Sequence, residues 1–205
     1  MAVRCYMEDL LKIKDLLSRS FKKRRLIDYI LYIAVLIGGV VIDQLTKVLA
    51  VAFVKPVPTI PLIEGVIHLT YVENTGAAFG MLKDAPWVFN TFSTIAIVAM
   101  LLYLFLGHAN GRLYEISIAM IISGGIGNMI DRLALGYVVD FIDFRLINFA
   151  VFNGADSLVC VGAGLLILAL ILEIVNESRE NKKKAEEEER QASVNAHRED
   201  SEDAE

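Results

Sequence analysis

The chain has 205 residues, 55% of them hydrophobic, with 20 Lys or Arg against 25 Asp or Glu and a formal net charge of -5. A mean hydropathy of +0.51 beside 22% charged residues excludes an ordinary soluble domain, because such charge must be segregated from such apolar content. Residues 1–25 hold eight bases and three acids and residues 177–205 hold six and eleven, so the 151 residues between are too apolar for solubility or disorder and describe an integral membrane protein.

In chain order, a basic cytoplasmic arm occupies 1–25. Four apolar stretches follow, each near the roughly 20 residues that cross a bilayer core of about 30 Å. They run from about Leu26 to Ala52, Trp87 to Leu106, Leu113 to Leu133, and Phe149 to Val175. A cleavable signal ending at Ala50 or Ala52 is disfavoured, since Asp43 interrupts the first stretch and the stretch is too long. Lys22 to Arg25, Arg112, and Arg179 with Lys182 to Lys184 mark the cytoplasmic flanks by the positive-inside bias. Both termini then lie inside, and the connectors 53–86 and 134–148 lie outside. Alternating Ile67, Leu69 and Tyr71 predict a small extracytoplasmic hairpin or sheet on the membrane. Residues 177–205, with a KKK run and an EEEE run, read as a flexible acidic cytoplasmic tail, helical or disordered. Basic nucleic-acid footprints are absent from the core. Cys5 and Cys160 are not expected to pair, and the scattered His68, His108 and His197 form no metal-binding spacing.

A carboxylate inside a bilayer costs about 2.5–3.5 kcal/mol on insertion scales, so each one needs a partner or a task. Asp43 lies about 25 Å along the first span, near its outer end. Asn128 and Asp131 end the outward third span, Asp156 opens the inward fourth, and Asp140 and Asp143 occupy the connector between them. Thus Asp43, Asn74, Asn128, Asp131, Arg132, Asp140, Asn153 and Asp156 converge on one layer at the outer surface. Structural readings stand beside this one. Asp43 and Lys47 can pair at i, i+4, and Asp131 can pair with Arg132. Asn153 can cap a helix with Asp156 at its third position, and Asp143 can be an exposed interfacial charge. Two acids at one depth suit a proton-sharing pair activating a water for hydrolysis, a proton or ion pathway, or a divalent-metal site. Clustering at one surface favours the hydrolase, because a relay would string its acids through the depth. The runner-up is a small proton-coupled transporter or channel subunit, and a noncatalytic scaffold comes third.

The chain carries, in order, DQLTK at 43–47, ENTGAAFG at 73–80, GGIGNMIDR at 124–132, VVDF at 138–141 and FNGADS at 152–157. This pattern, over about residues 26–175, resembles the bacterial lipoprotein signal peptidases, the type II signal peptidases. The resemblance implies an all-α polytopic plasma-membrane protein of four transmembrane helices with a small extracytoplasmic β-rich segment. Its membrane peptidase domain is expected at 26–176. It implies an aspartic endopeptidase without cofactor or metal, cleaving prolipoproteins before the diacylglyceryl-modified cysteine. Asp140 and Asp156 are implied as the catalytic pair, Asn74, Asn128, Arg132 and Asn153 as substrate-binding or supporting, and Asp43, Lys47 and Asp131 as structural. The expected partners are lipidated prolipoproteins and membrane lipids, with the enzyme a monomer. Ala150 departs from the pattern, standing where the family usually has proline, and the connector from Asp140 to Asp156 is slightly short.

Overall fold

The structure, a computed structural model, describes residues 26–76, 86–106 and 111–202. The basic arm 1–25, and Ala77 to Gly80 of the second motif, lie outside the described residues. Helix α1 spans Leu26–Leu49 and runs into a π-helical turn, Ala50–Val54. Strands β1 (Ile60–Ile63) and β2 (Ile67–Asn74) follow, then α2 (Pro86–Phe105) and α3 (Arg112–Leu135). Strand β3 (Val138–Phe144), a 3-10 turn (Arg145–Ile147) and α4 (Gly154–Glu202) complete the order. The described residues up to Leu166 form one compact unit and those from Ile167 a second. In the second unit the chain is helical through Glu202, with Lys182 and Glu186 one turn apart at 3.8 Å.

Three helices are long and apolar enough to cross a membrane: 27–54, 112–135 and 154–187. The apolar stretch of α2, Asn90–Leu104, falls short of that length, so the described residues give three candidate spans and one shorter apolar helix. Ile30, Ile37, Ile42, Leu45 and Val48 of α1 and Ile167, Leu168 and Ile171 of α4 are exposed. Such an apolar exterior is stable only where lipid covers it. Helix α3 is the buried member. Ile118, Ala119, Ile122, Ser123, Gly124, Gly127, Asn128 and Asp131 are all enclosed. The fourth helix starts at Gly154 rather than near Phe149, because Phe152 forms a bridge to Ile142 and the chain before Gly154 is thereby extended.

The sheet is antiparallel in the order β1-β2-β3. Its third strand comes from the second connector, adding to the hairpin expected from the first. Leu69 pairs with Ile142 but Val72 pairs with Asp140, so β2 takes three steps where β3 takes two. The extra residue is a β-bulge at Thr70 and Tyr71, and it reverses which side chains share a face beyond it. Asn74, opposite Val138, thus lies on the same face as Asp140, opposite Val72. The other face of β3, through Val139 and Phe141, packs with Leu69 and Tyr71 against Ala50 and Val54 of the π-turn. Lys55, just past that turn, binds Glu73 at 2.9 Å and lies over the Tyr71 ring. His68 is buried and accepts the Gly65 N–H at 3.2 Å, closing the hairpin turn.

Close approach of α3 to its neighbours depends on glycine. A Cβ at Gly127 would strike the Asp43 carboxylate, and one at Gly124 would strike the Ala155 carbonyl. Gly127→Ala is expected to lose about 1–3 kcal/mol. Gly38→Ala on α1, where a Cβ meets nothing within 4 Å, should be neutral or slightly stabilising. Thermal unfolding of the two variants in the same detergent checks the contrast.

Candidate active site

The residues singled out above meet around a buried ammonium. Lys47 Nζ lies 2.9 Å from Asp43 Oδ2, 3.0 Å from Asp131 Oδ2, and donates to Asn128 Oδ1 at 2.9 Å. All four residues are at most 9% exposed. Burying one carboxylate or one ammonium alone costs several kcal/mol, so these groups are tolerable only together. Their remaining atoms are also engaged. Asp43 Oδ1 accepts the Ala155 N–H at 2.8 Å, which places a negative charge at the N-terminus of α4. Asp131 Oδ2 accepts the Val139 N–H at 3.0 Å, and Asp131 Oδ1 accepts from Gln44 at 3.0 Å. The i, i+4 pairing of Asp43 with Lys47 is therefore present. The expected pairing of Asp131 with Arg132 gives way to Lys47, because Asp131 is turned inward toward α1 while Arg132 lines a cavity on the other side. Gln44 went unmarked in the sequence, although it sits inside the DQLTK motif.

The amide of Asn128 carries the cluster to Asp156. Its Nδ2 donates to Asp156 Oδ1 at 2.8 Å. Asn153 caps α4: its Oδ1 accepts the Asp156 N–H at 2.9 Å, while Asp156 Oδ2 accepts the Asn153 N–H at 3.2 Å. This reciprocal exchange is a capping box with aspartate at the third position. Capping and membership of the site coexist in one residue. Asn153 Nδ2 also donates to Asp140 Oδ1 at 2.7 Å, and Asn74 Nδ2 donates to Asp140 Oδ2 at 3.0 Å. Each of the four oxygens on Asp140 and Asp156 thus accepts an N–H. Asp143, expected as an exposed charge, is instead half-buried and held by Arg145 at 2.9 Å and Thr70 at 2.8 Å, away from the pair.

Asp140 and Asp156 both line a cavity of about 770 Å³. Its polar lining includes Asn74, Asn128, Arg132 and Ser157, and its apolar lining includes Ile97 and Met100 of α2, Ile121 of α3 and Val159 and Val161 of α4. Cys160, a free thiol, also lines it. The Arg132 guanidinium feels the charges of Asp156, Asp140 and Asp131, in that order. Burial pushes the Asp140 carboxyl up to about 6, helped by the negative charge of Asp156 and opposed by the amides of Asn74 and Asn153 and the charge of Lys47.

Comparison with known proteins follows the same residues. Residues 33–172 match the family described as signal peptidase (SPase) II. A lipoprotein signal peptidase of Clostridioides difficile is 48% identical over 145 residues, covering 70% of this chain and 94% of that protein. One of Caldanaerobacter subterraneus is 48% identical over 127 residues, covering 62% and 86%. Two solved structures, each described as a bacterial membrane enzyme, superpose with TM-scores of 0.66 and 0.61 at 31% identity. They cover 71% and 68% of this chain and 90% and 91% of their own.

Because the native Asp140 carboxyl holds its proton up to about pH 6 and an unfolded one releases it near 4, the native state binds the extra proton between those values. Stability contributed by Asp140 is full below about pH 4 and is lost as pH rises through about 6. Asparagine does not titrate. The melting temperature of Asp140→Asn, relative to wild type, should therefore rise between pH 4 and pH 7.5; a difference independent of pH would show that burial does not govern this carboxyl.

Proposed function

The chain belongs to the signal peptidase II family, and from that premise we propose that it removes signal peptides from prolipoproteins by aspartic-type hydrolysis, with Asp140 and Asp156 as the catalytic pair. The observation that carries this is the shared placement of the two carboxylates in one cavity, each oxygen oriented by an amide N–H. Asp140, with its raised proton affinity, holds the proton that goes to the substrate. Asp156, facing amide donors at the start of α4, takes a proton from the water that attacks the scissile carbonyl. The two roles differ because the environments differ, the general basis of acid and base assignment in a carboxylate pair.

The substrate bond is the one before the diacylglyceryl-modified cysteine. Withdrawing acyl chains from a bilayer costs about 0.8 kcal/mol per methylene, so a protease for this bond works best where chains can stay in an apolar environment. The cavity supplies such walls beside its polar end. Arg132 and Asn74 are placed to meet substrate, while Asn128 and Asn153 hold the pair. No cofactor or metal takes part in this scheme. We read the chain as a monomer of four spans, 26–176, with α2 completing the set and the acidic segment 177–205 dispensable for chemistry. Both termini are cytoplasmic and the site faces outward in the bacterial plasma membrane. The family match leaves the transporter or channel alternative without support.

With a lipidated prolipoprotein substrate, Asp140→Asn and Asp156→Asn should each abolish cleavage in folded protein, and Asp131→Asn should retain measurable turnover. Wild-type rate should be bell-shaped in pH with its alkaline limb near 6, insensitive to EDTA. More than about a tenth of wild-type turnover in Asp140→Asn, a barrier change under about 1.4 kcal/mol, would overturn the assignment.

Orientation is tested separately. With Cys5 and Cys160 replaced by serine, Glu64→Cys should react with a membrane-impermeant thiol reagent in intact cells and Asn110→Cys should not. The reverse pattern would place the site on the cytoplasmic side.

A further inference from the structure

The ammonium of Lys47 touches neither catalytic carboxylate, yet the orientation of the site passes through it. An ammonium has three donors and no acceptor, so only an oxygen can face it. Asn128 therefore presents Oδ1 to Lys47 at 2.9 Å, and its Nδ2 is left pointing at Asp156 Oδ1, 2.8 Å away. Rotated by half a turn, the same amide would set two donors against each other at Lys47 and two acceptors against each other at Asp156. Asn153 reinforces the choice, since its Nδ2 donates to the same Asn128 Oδ1 at 3.1 Å. Asn153 is separately fixed by capping α4, so the effect of Lys47 falls mainly on Asp156.

We propose that Lys47 is a positioning residue for the proteolytic step, holding Asn128 in the one amide orientation that presents a donor to Asp156. This rests on the assignment of Asp140 and Asp156 as the pair. Asp43 and Asp131 in turn hold the ammonium in place, at 2.9 and 3.0 Å. Among the described residues, the charged groups around the arrangement are these two acids, Asp156 on α4, Arg132 on α3, and Asp140 on β3, whose proton affinity Asp156 raises and Lys47 lowers. A lysine needed only to set the net charge of the cluster would be dispensable once one acid is neutralised together with it. A lysine that orients Asn128 would not.

The test uses the full chain in detergent with a lipidated prolipoprotein, comparing Asp131→Asn with the double variant Lys47→Met/Asp131→Asn. The double variant removes one charge of each sign, so the buried cluster keeps its net charge and strands only Asp43, still held by the Ala155 N–H and Gln44, where Lys47→Met alone would strand two acids. Relative to Asp131→Asn, kcat should fall about a hundredfold with KM within about twofold, because a misdirected carboxylate affects the transition state more than binding. The alkaline limb should move to higher pH as the Lys47 charge is lost from Asp140. A folded double variant that turns over like Asp131→Asn overturns the proposal. So does one that cannot be recovered folded, since Lys47 then serves the bundle itself. Asp140→Asn is run alongside: cleavage by that variant would mean that the catalytic pair, rather than Lys47, is misassigned.

Discussion

A lysine ammonium nearly sealed from solvent, at 3% exposure, is the constraint on which the site depends. It cannot lie there without anions, and its anions come from two helices, Asp43 on α1 and Asp131 on α3. Each acid then reaches a further element. Asp43 accepts the Ala155 N–H at the beginning of α4, and Asp131 accepts the Val139 N–H next to Asp140. One buried charge thus sets the relative positions of two helices, one helix start and one strand. Gly127 of α3 follows from the same requirement, since a Cβ there would strike the Asp43 carboxylate.

The site beyond this cluster combines opposing demands. Burial makes Asp140 reluctant to ionise, while amides from β2 and from the α4 cap make ionisation easier. The balance leaves a carboxyl that titrates within reach of neutral pH, the range in which a side chain can both hold and release a proton. Apolar walls adjoin this polar centre, so chemistry requiring water is placed against surfaces that exclude it.

Much of the site was legible in the sequence because charges in apolar stretches are expensive and therefore informative. Asp43, Asp131 and Asp156 stand out on that ground, Asn128 as a polar amide beside them, and Asn153 reads as a cap from its place before Gly154. Two things were not legible. The partner of Asp131 was read as the adjacent Arg132, since sequence neighbours are visible and the packing of α1 on α3, which delivers Lys47, is not. Strand β3 was read as connector: VVDFIDF lacks clean alternation of apolar and polar residues, and its strand character comes from pairing with β2. The start of the fourth helix shifted for the same reason, through the bridge from Phe152 to Ile142.

The bulge at Thr70 and Tyr71 takes up one residue of strand length. A strand presents alternate residues to alternate sides, and by taking up its one extra residue as a bulge β2 keeps Asn74 on the side of Asp140. Losing Glu73 with the bulge kept would turn the asparagine toward the π-turn, whereas losing Thr70 or Tyr71 would remove the bulge and leave Asn74 opposite Val138. For this hairpin the place of a one-residue deletion decides its kind: beyond the bulge it removes a ligand of Asp140 without substituting anything, and within the bulge it leaves that ligand standing.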